Sequence, residues 1–133
     1  MDLQLKNKSV FIAAASRGLG AATALQFARE GAKVAISSRD ADKLNATADS
    51  IRKETGGQVL AIAGDMNKAE DVDRMINNSA KEFGGLDVVV VNAGGPPTGR
   101  FDEFDDQAWL DAVNLNLMST VRMIRTALPY LRQ

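Results

Sequence analysis

The sequence predicts an α/β fold in which a doubly wound parallel sheet is covered by helices on both faces. Short apolar runs alternate with helix-period segments along the 133 residues, which is the pattern of repeated βα units. The apolar runs are continuous rather than alternating, as is typical of strands that are covered on both sides. Right-handed crossovers between four such strands predict the order 3-2-1-4.

Four apolar runs are the predicted strands, and the last of them, LDVVVV, is the clearest. They cover residues 9–14, 33–37, 58–63 and 86–91. Three crossover helices are predicted between them, with Asp40 as the N-cap of the second. Asn67, followed three residues later by Glu70, is predicted to cap the third helix. The three helices should end at glycines that can adopt the left-handed conformation, namely Gly31, Gly56 and Gly84.

A fourth helix is predicted to begin near Asp106 and to run nearly to the last residue. Its apolar residues cannot all face one sheet, because Leu115, Met118 and Met123 lie away from the main stripe. We therefore expect a homo-oligomer, a symmetric dimer, that forms through this helix, the exposed edge of the fourth strand, or both. The main stripe is predicted to contain Leu110, Val113, Leu117, Val121, Ile124 and Leu128.

Composition excludes several kinds of site. Basic and acidic residues number 16 and 17, giving a formal net charge of -1, so we expect neither nucleic acid nor a membrane as a partner. The absence of cysteine and histidine excludes disulfides, thiol nucleophiles, serine–histidine triads and the common zinc sites, and no metal site is expected. The first residues lack the pattern of a signal peptide, so a cytoplasmic location is expected.

The segment after the first predicted strand reads AAASRGLG and leads into a helix. Small residues at this place allow backbone N–H groups and a helix N-terminus to approach a pyrophosphate. The same pattern also fits a tight turn that packs a helix on a strand. The candidate cofactor-binding residues here are Ala14, Ser16, Arg17, Gly18, Leu19 and Gly20.

This loop resembles the Thr-Gly-x-x-x-Gly-x-Gly pattern of the short-chain dehydrogenase/reductase family. Gly18 and Gly20 match the second and third glycines, while Ala13 and Ala14 replace the Thr and the first Gly. The replacement is tolerable only if Ala14 keeps a negative φ and its methyl clears the cofactor. The resemblance implies a Rossmann-like sheet that binds a nicotinamide dinucleotide.

Two further segments resemble the same family. The run Asn92, Ala93 and Gly94 ends the fourth strand, where the family motif braces the sheet and passes close to the cofactor. Asp65 and Met66 follow the third strand, where the resemblance implies contact with the adenine ring. Taken alone, Asp65 would fit a carboxylate that caps a turn.

Asn116 lies seven residues after Trp109 and aligns with an Asn-Leu pair of the family. The resemblance implies that this Asn supports the catalytic lysine and a water chain. Asn114 is a nearby competitor, although the spacing from Trp109 favours Asn116. Without the resemblance, a buried and hydrogen-bonded helical Asn is the alternative interpretation.

Ser38 and Arg39 follow the second strand, where NAD-preferring sites carry an acid that binds the ribose hydroxyls. A hydroxyl can donate to a 2′-phosphate, and a guanidinium can pair with it bidentately. Arg17 adds a second positive charge, and the alternative is two solvated surface arginines. Asp40 lies one residue further along but is assigned to the helix cap. We therefore expect NADP(H) in preference to NAD(H).

The resemblance implies hydride transfer between NADP(H) and an alcohol or carbonyl substrate, by a Tyr, a Lys four residues later and a Ser. The only tyrosine, Tyr130, has no such lysine and is expected to pack or to contact a partner. We expect residues 1–133 to be the incomplete cofactor-binding domain of such an oxidoreductase, truncated after the fourth strand and following helix and inactive alone. The alternative is a non-catalytic NADP-binding or interaction module.

Overall fold

The computed structural model describes residues 1–133 and contains one four-stranded parallel sheet. The strands are connected in the order β3-β2-β1-β4, and all three pairings are parallel. This arrangement confirms the predicted doubly wound α/β fold and its strand order. The strands are β1 Ser9–Ile12, β2 Lys33–Ser38, β3 Val59–Ala63 and β4 Val88–Val90.

Helices cover both faces of the sheet, which is why its strands are continuously apolar. The first two helices pack on one face over a cluster of 12 buried apolar residues, and the third and fifth pack on the other over a cluster of 13. No helix combines the length and the apolarity that crossing a bilayer would require. The helices are α1 Gly18–Arg29, α2 Ala41–Thr55, α3 Ala69–Phe83, α4 Asp106–Val113 and α5 Ser119–Leu131.

The predicted helix ends are confirmed, except for one N-cap. Asp40 caps α2 by accepting a hydrogen bond from the backbone N–H of Lys43. The three predicted glycines have φ between 67° and 80° at the ends of α1, α2 and α3. Asn67 does not cap α3, because the N-cap position is Lys68 and the side-chain oxygen of Asn67 accepts from the Asn114 amide instead.

The first strand ends two residues earlier than predicted. Ala14 has a φ of 51°, so the chain leaves the extended conformation before this residue and turns towards α1. The negative φ that the sequence analysis required of Ala14 is therefore not met. Its backbone occupies the left-handed conformation that favours glycine.

The last predicted helix is divided by a π-helical turn at Asn114–Met118. The buried residues of α5, on the face that packs on α3, are Ser119, Met123 and Ala127. Two of them are small and the third is flexible. Small side chains let the two helices approach closely, and the larger apolar residues then face outwards. The prediction that the apolar stripe faces the core is therefore wrong. Four of its six residues are exposed, namely Leu110, Val113, Leu117 and Ile124.

Candidate functional site

A groove of about 800 Å³ opens where the four parallel strands end. The loops after all four strands contribute to it, which places it at the carboxyl edge of the sheet, where open α/β sheets bind their ligands. All thirteen residues that the sequence nominated for cofactor binding line this one groove. They are Ala14, Ser16, Arg17, Gly18, Leu19, Gly20, Ser38, Arg39, Asp65, Met66, Asn92, Ala93 and Gly94.

The carbonyl oxygen of Ala14 is the point at which three segments of the site meet. The side-chain amide of Asn92 donates to it over 3.3 Å, which ties the end of β4 to the loop after β1. A Cβ atom at Gly20 would lie 2.3 Å from the same oxygen. Only glycine at this position therefore lets α1 begin so close to the loop.

The N-terminus of α1 is open to an anion. Arg17 occupies the N-cap position without a capping side chain, and the first turn contains no acidic residue. The backbone N–H groups of Gly18, Leu19 and Gly20 donate to no acceptor in the protein. By contrast, α2, α3 and α4 each carry an acidic residue at the cap or in the first turn. Free amides and a helix dipole that no carboxylate offsets suit a pyrophosphate.

Helix α2 supports the loop from its outer side. The hydroxyl of Thr47 donates to the carbonyl oxygen of Ser16 over 2.8 Å. This contact holds the loop immediately before Arg17. Sequence reasoning missed Thr47, because nothing in the pattern of a helical Thr indicates which loop it reaches.

The part of the groove between the end of β2 and the start of α1 carries a surplus of positive charge. Arg17 and Arg39 are exposed, and neither makes an ion pair or a side-chain hydrogen bond within the protein. The carboxylate of Asp40 is occupied, since one oxygen accepts the Lys43 N–H over 3.0 Å and the other lies 3.0 Å from Lys43 Nζ. The pKa of the Asp40 carboxyl lies below 3.8, mainly because the carboxylate accepts a hydrogen bond from the backbone N–H of Lys43. The ammonium group of Lys43 lowers this pKa further. The Ser38 hydroxyl donates to the Asp40 carbonyl over 3.2 Å.

The loop after β3 is held at both ends. The Asp65 N–H donates to the Asp71 carboxylate over 2.8 Å, and Arg74 pairs with that carboxylate over 3.0 Å. One side-chain oxygen of Asp65 accepts the Asn67 N–H over 2.9 Å, so the alternative interpretation as a turn cap is correct for that oxygen. The same residue also lines the groove, beside the nearly buried Met66.

Asn116 does not line the groove. It is exposed in the π-helical turn, and its side-chain amide donates to the carbonyl oxygen of Ala112 over 3.1 Å. The competing residue Asn114 points instead towards Asn67, on the β3–α3 loop. The supporting role that the resemblance implies for Asn116 stays a prediction.

Sequence reasoning missed several residues of the groove. Most of them are direct neighbours of nominated residues, and Lys43 lies one helical turn after Asp40, so a wider window around each motif would have found them. Leu115 comes from the π-helical turn and had no sequence signal. The missed residues are Asp40, Lys43, Gly64, Asn67, Gly95 and Leu115.

Comparison with known proteins agrees with this geometry. Residues 8–133 match the family model described as short chain dehydrogenase. The chain belongs to the short-chain dehydrogenase/reductase family. The match begins just before β1 and includes every element of the sheet and all five helices.

Individual members of this family are similar over most of the chain. A glucose 1-dehydrogenase of Gluconobacter oxydans is 48% identical over 87 residues, which are 65% of this chain and 33% of the relative. The structure of L-sorbose reductase from Gluconobacter frateurii with NADPH and L-sorbose superposes with a TM-score of 0.94 at 34% identity, covering 99% of this chain and 50% of the reductase. A short chain dehydrogenase of Burkholderia cenocepacia in complex with NADP has a TM-score of 0.89 at 30% identity, covering 96% and 52%. The chain spans about half the length of these two structures.

Proposed function

We propose that residues 1–133 form the cofactor-binding domain of an oxidoreductase that transfers hydride between NADP(H) and an alcohol or carbonyl substrate. The bound cofactor would supply or accept the hydride. The residues of this chain would bind and orient it. The proposal rests on the family and on the fit between the groove and a dinucleotide.

The pyrophosphate would lie at the N-terminus of α1. The free N–H groups of Gly18, Leu19 and Gly20 are available to its oxygens, and the absence of a side chain at Gly20 keeps the loop close to the helix. Asn92 would hold the loop in place through the Ala14 carbonyl.

The state of Asp40 is the observation that carries the preference for NADP(H). An acid that is free to accept from the ribose hydroxyls favours NAD(H) and repels a 2′-phosphate. Here both carboxylate oxygens of Asp40 are engaged by Lys43, while Arg17 and Arg39 have no partner in the protein. The two guanidinium groups are therefore available for a phosphate. The NADPH and NADP complexes of the two similar structures are in keeping with this assignment.

Asp65 and Met66 would form the adenine end of the site. One oxygen of Asp65 is used by the Asn67 N–H, and the second oxygen can accept from the adenine amino group. Met66 lines the groove beside it, but its side chain is buried in the core, so it would meet the base through its backbone.

Calorimetric titration with NADPH and NADH tests the proposal. We expect NADPH to bind more tightly than NADH. Arg39→Ala should weaken the affinity for NADPH by about tenfold or more, while changing the affinity for NADH by less than about twofold. Arg125→Ala is the matched control, because this exposed arginine lies on α5, outside the groove. Equal affinities for the two cofactors in the unmodified protein would contradict the NADP(H) assignment.

A further inference from the structure

A polar cluster joins α5 and the π-helical turn to the loop after β3. The Arg122 guanidinium donates to the side-chain oxygen of Asn114 over 2.8 Å and to the Asn67 carbonyl oxygen over 3.4 Å. The Asn114 amide nitrogen lies 3.3 Å from both the carbonyl and the side-chain oxygen of Asn67. We call Asn67, Asn114 and Arg122 the Asn-Asn-Arg cluster.

Arg122 is the only arginine of this chain that is not exposed. Its side chain is half-buried, yet it takes part in none of the five ion pairs. A partly desolvated cation needs compensating acceptors, and here only amide oxygens provide them. Such charge-assisted hydrogen bonds hold their acceptors more firmly than neutral ones do.

The π-helical turn is what brings Asn114 and Arg122 together. The two residues are eight positions apart, and in a regular α-helix that spacing would separate them by about 80° around the axis. The extra residue of a π turn makes them equivalent to a spacing of seven, about 20° apart. Both side chains then point to the same face, towards Asn67.

One member of the cluster, Asn67, lines the groove, and Asn114 lines a neighbouring cavity. Asn67 and Leu115 are the two residues that line both the groove and a neighbouring cavity of about 310 Å³. The backbone N–H of Asn67 is in turn bonded to the carboxylate of Asp65. A chain of hydrogen bonds therefore leads from Arg122 to the carboxylate at the adenine end.

We propose that Arg122 is a positioning residue for adenine recognition. By holding Asn67, it keeps the Asp65 carboxylate oriented so that its second oxygen faces the exocyclic amino group of the base. The inference rests on the proposed function, since it requires the adenine to lie at Asp65. It assigns a task to an α5 residue that does not itself line the groove.

The test compares NADPH with its deamino analogue, in which hypoxanthine replaces adenine and a carbonyl oxygen replaces the amino group. We expect the unmodified protein to prefer NADPH, and Arg122→Gln to reduce this preference by about three- to tenfold. Asn114→Ala removes the bridging amide and should reduce the preference in the same direction. Arg125→Gln, on the exposed side of the same helix, is the matched control and should leave the preference unchanged.

If Arg122 had a purely structural role, its replacement would lower the melting temperature and would weaken the affinities for NADPH and for its deamino analogue equally. That result in Arg122→Gln, or in Asn114→Ala if the first variant does not fold, would overturn the inference. Failure of the unmodified protein to bind either cofactor would instead contradict the proposed function. The two ideas are therefore tested separately.

Discussion

The α-carbon of Gly20 packs against the backbone of Ala14, where a Cβ would lie 2.3 Å from the carbonyl oxygen and 2.8 Å from the α-carbon of Ala15. Both neighbours are backbone atoms, so relieving the clash requires the loop or α1 to move. We expect Gly20→Ala to lower the free energy of unfolding by about 1–3 kcal/mol and to weaken NADPH binding.

Denaturant unfolding and calorimetry would measure these two effects. Gly95→Ala is the control within the same groove, since no atom lies within 4 Å of the added methyl, and it should change stability by less than about 0.5 kcal/mol. Equal stability of the two variants would show that the loop is not packed as described.

Ala14 carries backbone strain, because its φ of 51° is costly for a residue with a Cβ. Glycine would relieve this strain but would also make the unfolded chain more flexible. The net expectation for Ala14→Gly is a gain of about 1 kcal/mol in the free energy of unfolding. Ala22→Gly, at an exposed position inside α1, should instead lose about 1 kcal/mol. Destabilisation by both changes would argue against strain at Ala14.

Asp71 makes the stability of the β3–α3 loop depend on pH. The backbone N–H of Asp65, followed by the Arg74 guanidinium, holds the pKa of the Asp71 carboxyl below 3.8. A pKa that is lower in the folded state contributes stability above the unfolded pKa, and this stability is lost as the pH falls through the folded pKa.

We therefore expect Asp71→Asn to be less stable than the unmodified protein at pH 6, and the difference to narrow below about pH 4. Thermal unfolding of both proteins across this range is the measurement. A constant difference at every pH would mean that ionisation of Asp71 does not contribute.

Tyr130 lies in a packing contact rather than in the groove. Its hydroxyl donates to the side-chain oxygen of Asn77 over 2.5 Å, between α5 and α3. We expect residues 1–133 alone to oxidise no alcohol and to reduce no carbonyl above background, as measured by the absorbance of NADPH with ketones, sugars and acyl thioesters. Turnover that disappears in Tyr130→Phe would show that the tyrosine is catalytic after all.

The outward face of the last two helices is expected to mediate self-association. Leu117 and Ile124 are 57% and 44% exposed, and burial of these side chains against a second copy of the chain would stabilise a dimer. Leu117→Glu and Ile124→Glu should shift the protein towards monomer in sedimentation experiments over a range of concentrations. Asn45→Glu, on the exposed side of α2, is the control. A monomer at every concentration in the unmodified protein would exclude a dimer through this face.

Met123 shows why the choice of these two residues depends on the tertiary structure. Sequence periodicity predicted that Met123 lies away from the core face, and on that prediction Met123→Glu would have tested self-association through this helix. The side chain is fully buried between α5 and the sheet. A charge at Met123 would therefore unfold the protein and would report nothing about self-association.

The doubly wound sheet, the order of its strands and the thirteen groove residues could all be predicted from the sequence. These features depend on local signals: continuous apolar runs, glycines at helix ends, and short motifs at the ends of strands. Because parallel strands all end at the same edge of the sheet, motifs at the ends of β1, β2, β3 and β4 must converge once the topology is known.

The φ of Ala14, the inward face of α5 and the contacts among Asn67, Asn114 and Arg122 instead depend on how the elements pack. The inward face was mispredicted because close approach to α3 selects small residues such as Ser119 and Ala127, whereas hydrophobic periodicity weights large ones. The cluster depends on a π-helical turn that shifts the helical phase by one residue, and on pairs 47 to 55 positions apart in sequence. Neither the phase shift nor such distant pairing leaves a periodic trace in the sequence, since both arise from how complete elements pack.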